Sequence, residues 1–237
     1  MKGRFLRSQT DFELTPCVRG CKIRLTFPDG RIPYLTLFPV KGDYGYEIDY
    51  DNNCVKAWTN GKSGGTAVDF KTYLVMKFDS VIDKENSRNG ENNCLHIAFS
   101  DRIVTADVSS SYISYDQACE NMRQDSLGKS FEEIKENAEN LWEEYLSRIE
   151  IETDDESQMK TFYSCMYRTG LFPHKAYEID KDGNKIHYAP CDGKVHGGVR
   201  YTDNGFWDTY RSEFPLLALI GREEYAEMLE GFIVDYT

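Results

Sequence analysis

The ten residues TDNGFWDTYR (202–211) place three aromatic rings, two aspartates and one arginine around a single glycine, and the apolar segment FPLL (214–217) follows them. A helix in a protein core has little use for charged side chains beside Trp207 and Tyr210. A site for a hydroxyl-rich ligand uses both kinds of group, because rings stack on the apolar faces of a sugar while charged groups hydrogen-bond its hydroxyls. Residues 202–211, which we call the aromatic-acidic stretch, are therefore a candidate binding site.

A plainer interpretation of the same stretch is the N-terminus of a helix. Asp203 or Asn204 would then cap the helix, and Trp207 would lie in the core. Arg211 would be the surface partner of Asp208, three residues before it. Trp207 and Asp208 are neighbours and cannot share one helix face, which weakens this alternative but leaves it open.

Composition limits the classes of partner. The chain has 237 residues and a formal net charge of -12, which argues against nucleic acid and anionic membrane surfaces. Aromatic residues make up 14% of the chain, enough for a sizeable core. No apolar run approaches the span of a bilayer, and polar residues follow the basic start at 1–4, where a signal peptide would need an apolar segment. The cellular compartment stays open.

The cysteines predict reduced thiols. There are seven, an odd number without a CxxC pair, and no His or Cys cluster completes a zinc set. They are Cys17, Cys21, Cys54, Cys94, Cys119, Cys165 and Cys191.

The first hundred residues have the pattern of β-structure. Residues 21–27 (CKIRLTF) alternate apolar and polar, the period of a half-buried strand, and the Pro-Asp-Gly at 28–30 forms a turn. Short strands at regular intervals, separated by such turns, favour a two-sheet sandwich. The further predicted strands cover residues 34–38, 45–50, 55–59, 67–78 and 93–99.

Helical patterns begin near Ser114. Two capping-box sequences, SYDQ (114–117) and SFEE (130–133), predict two helix starts. The second helix has a predicted buried stripe of Phe131, Ile134, Ala138, Leu141, Tyr145 and Ile149. A third helix begins at acids 154–156, ends before Pro173 and has a predicted buried stripe of Met159, Phe162, Tyr163, Met166 and Tyr167.

The last third mixes irregular and helical patterns. Residues 174–203 are predicted to be an irregular, ordered segment with a hairpin-like turn at 180–183. Helix is predicted again from about Phe206 and from 223 to 236. Successive helices joined by loops rich in aromatics and acids suggest the opening of a helical barrel.

Four carboxylates near the stretch could take part in acid–base chemistry: Asp192, Asp203, Asp208 and Glu213. Glycoside hydrolysis needs two such groups, about 5 Å or about 6.5–9.5 Å apart. A sequence contains no through-space distance, so no pair is assigned, and surface or capping roles are the plainer interpretation of each.

Other catalytic patterns are weaker. His174 and His196, on the irregular segment, are the better histidine candidates, whereas His96 lies in a strand pattern and is expected to be packed or at an edge. No HExxH or GxSxG occurs, so zinc hydrolysis and a nucleophile elbow have no support. KSGGT (62–66) lacks phosphate-loop spacing and is expected to be a surface turn.

With these residues assembled, the chain resembles glycoside hydrolase family 92, the calcium-dependent exo-acting α-mannosidases. The two most specific motifs are FWDTYR (206–211) and PLL (215–217). The others, in the family's order, are ELTP (13–16), RLTFP (24–28), SSYIS (110–114), QA (117–118), NM (121–122), Trp142 and TFYSCMYR (161–168).

The resemblance implies a multidomain β + α fold, with a partial N-terminal antiparallel β-sandwich followed by the start of an (α/α)6 barrel. Residues 1–110 would belong to the sandwich and residues 111–152 would form linker helices. Residues 153–237 would be the first helices of a truncated catalytic barrel.

The resemblance also implies hydrolysis of terminal, often α-1,2-linked mannose from glycans, with inversion and with Ca²⁺ as cofactor. Trp207 would be an apolar wall of the mannose pocket and Asp208 a hydroxyl acceptor, while Arg211 would orient Asp208. Family members are often secreted or periplasmic.

The chain also differs from members of this family. Family members are several hundred residues longer, and their early glycine-rich segment is absent here. We therefore expect an internal fragment that is inactive alone, with the general acid, the general base and most calcium ligands beyond Thr237. Two alternatives remain: another sandwich-plus-barrel sugar enzyme, such as a phosphorylase or a glucoamylase-like hydrolase, and a non-catalytic glycan-binding remnant.

Overall fold

The computed structural model describes residues 1–39, 42–61 and 69–234. The contacts divide the chain into two compact units, Met1–Ala138 and Glu139–Thr237. The predicted turn at 62–66 and the first residues of the predicted strand at 67–78 lie outside the described residues. No helix in the described part of the chain is long and apolar enough to cross a membrane.

Antiparallel strands build most of the first unit. In chain order they are β1 (Lys2–Phe5), β2 (Thr10–Pro16), β3 (Gly20–Thr26), β4 (Tyr34–Leu37), β5 (Tyr44–Asp49), β6 (Cys54–Thr59), β7 (Thr72–Phe78), β8 (Ile82–Asn89), β9 (Leu95–Phe99) and β10 (Ile103–Ser111). A seven-stranded sheet has the order β1-β2-β3-β10-β7-β6-β5, and a three-stranded sheet has the order β4-β9-β8. The predicted β-structure of this region is confirmed.

One apolar core contains residues of both sheets. Phe99 of β9 lies 4.9 Å from Phe78 of β7, measured between ring centroids. The buried members of this core are Leu25, Phe27, Val55, Met76, Phe78, Ile82, Leu95, Ile97, Phe99, Val104 and Ala106. His96 of the central strand β9 is packed as expected, with Nδ1 2.8 Å from the hydroxyl of Thr36.

Two helices follow the strands, α1 (Tyr115–Asp125) and α2 (Phe131–Leu146). Both predicted caps are confirmed: the Ser114 hydroxyl accepts from the Gln117 amide, and Ser130 and Glu133 exchange two hydrogen bonds of 2.6 and 3.2 Å. The predicted stripe of α2 is wrong at Leu141, which is 55% exposed, whereas Phe131 and Ile134 are buried and Tyr145 is half-buried.

A buried ammonium group ties the loop between α1 and α2 to the larger sheet. Lys22 is only 5% exposed, and its Nζ lies 2.9 Å from a carboxylate oxygen of Asp107. It also donates to the backbone carbonyls of Ser126 and Lys129, at 3.3 and 2.5 Å. The buried charge therefore has a counter-charge at 2.9 Å and two carbonyl acceptors, which lowers the cost of burying it.

All seven cysteines are free thiols, as predicted. Burial raises the pKa of the Cys17 thiol to about 12, and it also raises the pKa of Cys21, Cys54 and Cys119. Since the thiolate is the reactive form, these four cysteines are poor nucleophiles at neutral pH.

Besides the end of α2, the described part of the second unit contains a long helix, five short strands and three further helices. They are α3 (Glu156–Thr169), β11 (His174–Lys175), β12 (Tyr177–Ile179), β13 (Lys185–Ala189), β14 (Lys194–Gly197), β15 (Tyr201–Thr202), α4 (Phe206–Thr209), α5 (Glu213–Ile220) and α6 (Arg222–Ile233). Strands β12, β13 and β14 form one sheet, and β11 pairs with β15.

The prediction of an irregular segment at 174–203 is wrong. Strands of two to five residues built from histidine, lysine and tyrosine are too short and too polar to show a clear alternation. The predicted turn at 180–183 is confirmed, because it joins β12 to β13, with Gly183 at φ +84° and the Asp180 carboxylate accepting from the Asp182 and Asn184 amides.

The helical stripes of this unit are only partly buried. In α3 the predicted stripe is wrong for Met159 and Tyr167, which are exposed, whereas Met166 is buried. In α6, Met228 and Phe232 pack against the buried cluster of Tyr177, Val199 and Tyr201, but Leu229 and Ile233 are exposed. The predicted end of α6 at residue 236 lies outside the described residues.

Gly20 allows a close approach of two neighbouring strands. A Cβ atom there would lie 1.9 Å from the carbonyl oxygen of Val108, on the strand that pairs with β3. We expect Gly20→Ala to lower the free energy of unfolding by about 1–3 kcal/mol, because the strands must separate to admit a methyl group. Gly197→Ala is the control, since no heavy atom lies within 4 Å of its added Cβ. Equal denaturant midpoints for the two variants would contradict the prediction.

Candidate functional site

The strand pair β11–β15 positions the start of the aromatic-acidic stretch. His174 pairs with Thr202 in this two-residue ladder. The next residue, Asp203, has φ +62°, a left-handed conformation that is uncommon for residues other than glycine. Its Oδ2 lies 3.1 Å from Nδ1 of His174. The structure thus brings together two of the candidates, Asp203 and His174.

The other candidate histidine has a different partner. His196 lies on β14, and its Nε2 is 2.9 Å from Oδ2 of Asp192, four residues earlier. The hydrogen bond to His196 lowers the pKa of the Asp192 carboxyl. These two candidates therefore form a second His–Asp pair, on a sheet that does not contain β15.

The aromatic-acidic stretch turns into the single-turn helix α4. Gly205 is its N-cap residue, and no side chain caps the helix. Trp207 is 83% exposed, so it is not a core residue. The interpretation of the stretch as an ordinary capped helix start with a buried tryptophan is therefore wrong.

Asp208 lies beside Trp207 and its carboxylate folds back over the helix start. Its amide donates to the carbonyl of Gly205, at 2.9 Å. A Cβ atom on Gly205 would lie 2.9 Å from Oδ2 of Asp208, so the glycine leaves room for this carboxylate. Asp208 is exposed, as expected of a group that accepts hydrogen bonds from a ligand.

Arg211 contacts its neighbour in the chain. Its Nε donates to the Tyr210 hydroxyl at 2.6 Å. The expected role of Arg211 in orienting Asp208 stays a prediction.

Aromatic contacts fix α4 to the helices that follow it. The ring of Phe206 lies 5.1 Å from Phe232 of α6 and 6.3 Å from Phe214 of α5, centroid to centroid. Phe206 thus contacts the helices while the adjacent Trp207 stands in solvent. Exposing a whole indole ring is unusual for a residue type that is highly buried on average, and it leaves the ring free to contact a ligand.

Two residues that flank α4 hold polar atoms without partners. Both amide atoms of Asn204 and Oε1 of Glu213 are buried and have no hydrogen-bond partner among the described residues. Burial raises the pKa of the Glu213 carboxyl. Such groups cost about 1–3 kcal/mol each, and their concentration beside one short helix marks a region that is not optimised for stability.

Comparison with known proteins identifies the family. The model described as the glycosyl hydrolase family 92 catalytic domain matches residues 117–237, about half of the chain, including the whole aromatic-acidic stretch. The chain belongs to glycoside hydrolase family 92. The resemblance inferred from the motifs is confirmed.

Solved structures agree with this assignment. A family 92 inverting mannosidase from Bacteroides thetaiotaomicron is 31% identical, with a TM-score of 0.91 over 99% of this chain and 34% of its own. A family 92 α-mannosidase from the same organism is 22% identical, with a TM-score of 0.80 over 96% of this chain and 34% of its own, and shows the shared fold. A protein from Arthroderma benhamiae, described as an uncharacterized secreted glycosidase, is 35% identical over 74 residues, which are 30% of this chain and 10% of that protein.

The family 92 chain spans about a third of the length of these solved structures. Among its described residues, no group of three or more His, Cys, Asp or Glu side chains is arranged to hold a metal ion.

Glu227 of α6 supports the strands that lead into the aromatic-acidic stretch. No pattern in the sequence selects this residue. Its Oε1 accepts from the hydroxyls of Tyr177 and Tyr201, at 2.8 and 2.6 Å, and its Oε2 accepts from the ammonium group of Lys185. A Cβ atom on Gly231, one helical turn further along α6, would lie 2.6 Å from Cδ2 of Tyr201. The helix thus holds Tyr201, two residues before Asp203.

These contacts shift the pKa of the Glu227 carboxyl. Burial acts to raise it, but the hydrogen bonds from Lys185 and the two tyrosines outweigh burial and lower it to about 2. Since this folded value lies below the unfolded one, the stabilisation is complete above the unfolded pKa of about 4.3 and is lost as the pH falls towards 2.

We expect Glu227→Gln to reduce the free energy of unfolding at pH 7 by about 1 kcal/mol, a modest value because the side chain is partly exposed to solvent. Between pH 5 and about 2 the stability of the variant should depend less on pH than that of the wild type. Denaturant titrations at several pH values measure both effects. Glu230→Gln, at an exposed site on the same helix, should resemble the wild type, and identical pH profiles for the two variants would refute the role of Glu227.

Proposed function

We propose that this chain is a part of an exo-acting α-mannosidase that releases terminal, α-1,2-linked mannose from glycans with inversion of configuration. Membership of family 92 and likeness to an inverting mannosidase support the reaction class. The observation that carries the proposal is the exposed indole of Trp207 directly beside the exposed carboxylate of Asp208.

These two side chains suit the glycon of a mannoside. An indole face can pack against the apolar C–H face of a pyranose, and a carboxylate can accept hydrogen bonds from two adjacent hydroxyls. In the proposal Trp207 is the apolar wall of the pocket, Asp208 is the hydroxyl acceptor, and Arg211 orients Asp208. None of the three is assigned to bond cleavage.

The proposal extends to the architecture of the whole enzyme. The two antiparallel sheets with their common core would belong to a β-sandwich, and α3 to α6 would begin an (α/α)6 barrel. This extension rests on the likeness to solved family 92 structures that are about three times as long as this chain.

Inversion requires a carboxylic acid that protonates the leaving oxygen and a carboxylate that activates water, about 6.5–9.5 Å apart. We assign both to residues beyond Thr237. Of the four candidate carboxylates, Asp203 and Asp192 pair with histidines, and Glu213 has a buried oxygen without a partner among the described residues. Asp203 and Asp192 are exposed but each engages a histidine, whereas the exposed Asp208 has no histidine partner among the described residues.

A calcium ion is part of the proposal as the family's cofactor. It would supply a hard, positively charged centre that binds sugar hydroxyls. In the proposal most of its ligands lie outside this chain.

The mannosidase proposal predicts the effect of two substitutions. In the product of the complete reading frame that encodes these residues, Trp207→Ala and Asp208→Ala should each lower kcat/KM on α-1,2-mannobiose at least about tenfold, or about 1.4 kcal/mol of transition-state stabilisation. Phe38→Ala and Asp182→Ala, which remove an exposed ring and an exposed carboxylate elsewhere, are the controls. Wild-type kinetics in both Trp207 and Asp208 variants would remove the stretch from the site.

The same protein tests the reaction type and the cofactor. Proton NMR during turnover should show β-mannose as the first product, since inversion of an α-linkage gives the β-anomer. EDTA should abolish turnover, and added Ca²⁺ should restore it. Release that requires inorganic phosphate would favour a phosphorylase, and binding of mannosides without turnover would favour a non-catalytic glycan-binding protein.

A further inference from the structure

The backbone reaches α4 from a short and weak strand pair, β11–β15. Strands β11 and β15 share two residue pairs, His174–Thr202 and Lys175–Tyr201, and the chain leaves the ladder immediately afterwards. Asp203 then takes a left-handed conformation, which an aspartate adopts less readily than glycine. A two-residue ladder is too short to hold such a turn by itself.

A side-chain contact reinforces this turn. The carboxylate of Asp203 lies 3.1 Å from Nδ1 of His174, across the ladder. The ring of Phe172 lies 4.9 Å from the imidazole of His174 in an edge-to-face arrangement, which limits its rotation. Because a carboxylate only accepts, Nδ1–H of the imidazole is the donor in this contact.

The segment between this turn and Trp207 has little else to hold it. Asn204 makes no side-chain hydrogen bond among the described residues, and Gly205 has no side chain to offer. Thr209 donates to the carbonyl of Gly205 at 3.1 Å, but that contact stays within the segment. The next connection to another element is the packing of Phe206 on α5 and α6.

We propose that His174 and Asp203 are positioning residues that hold the segment presenting Trp207 and Asp208 to the sugar. The proposal rests on the proposed function, because it assigns a role within the same mannose pocket. The pair touches neither the bond that breaks nor the water that attacks. It sets the direction in which the chain enters α4, and so determines whether Trp207 and Asp208 reach one sugar ring together.

The first test separates the backbone from the side chain of Asp203. In the complete protein, Asp203→Gly keeps the left-handed conformation and deletes the carboxylate, and should lower kcat/KM on α-1,2-mannobiose about tenfold, because small misplacements of binding groups are costly. His174→Ala should do the same. His174→Asn, whose amide can replace Nδ1–H, and Asp203→Asn should recover most of the rate. His196→Ala, which breaks the other His–Asp pair of the unit, is the matched control and should retain wild-type kinetics.

A double-mutant cycle distinguishes a positioning role of His174 from a general contribution to stability. If His174 acts through Trp207, then His174→Ala should cost much less in a Trp207→Ala background than in the wild type. A structural role unrelated to the pocket would give the full penalty in both backgrounds, and that result would overturn the proposal. So would wild-type kinetics in the His174→Ala and Asp203→Gly single variants.

A spectroscopic readout keeps this test independent of mannosidase activity. In the complete protein, with Trp58, Trp142 and every tryptophan outside these 237 residues replaced by phenylalanine, the remaining indole is that of Trp207. His174→Ala should lower its fluorescence anisotropy, whereas His196→Ala should not. If the wild type releases no mannose, the proposed function fails and the anisotropy alone decides the positioning role. Unchanged anisotropy in His174→Ala would then reject it.

Discussion

The second unit depends on one carboxylate with three donors. Glu227 of α6 accepts from Tyr177, Tyr201 and Lys185, which lie on three different strands. Those strands have two to five residues and are too short to be stable without support. The carboxylate and the packing of Met228 and Phe232 bind them to the helix, and the chain enters the aromatic-acidic stretch directly from this assembly.

The first unit uses the same principle with the opposite charge. The ammonium group of Lys22 meets a carboxylate and two carbonyls, and so binds the loop after α1 to the larger sheet. In both units a partly or fully buried charge connects a helical segment to strands. Lys22 is fully buried and Glu227 only partly, so the loss of a partner is expected to cost more at Lys22 than at Glu227.

Local signals in the sequence predicted local structure well. The caps at Ser114 and Ser130 and the turn at 180–183 depend on a few neighbouring residues, so a single sequence contains what is needed to recognise them. Burial of helix faces depends on what lies opposite, and for that reason the predicted stripes were wrong at Leu141, Met159 and Tyr167. The short strands after α3 escaped detection because tertiary contacts, rather than alternation, make them strands.

Some residues of the candidate site could also be predicted from local sequence, and others could not. Trp207, Asp208 and Arg211 could be selected from the sequence because their composition is unsuited to a core or an ordinary loop, and the family motif covers them. Glu227 is one of several glutamates in an acidic helix, and only the fold brings it to Tyr201. The contact between His174 and Asp203 joins residues 29 positions apart, and no spacing rule predicts it.

Gly231 has a consequence for how this protein can change in evolution. Its bare backbone lies against the ring of Tyr201, where any Cβ atom would lie 2.6 Å from Cδ2. A larger residue at 231 would require a smaller one at 201, and a smaller residue at 201 would remove the hydroxyl from the Glu227 carboxylate. Positions 201, 227 and 231 are thus expected to vary together among relatives: either all three residues are retained or all three change.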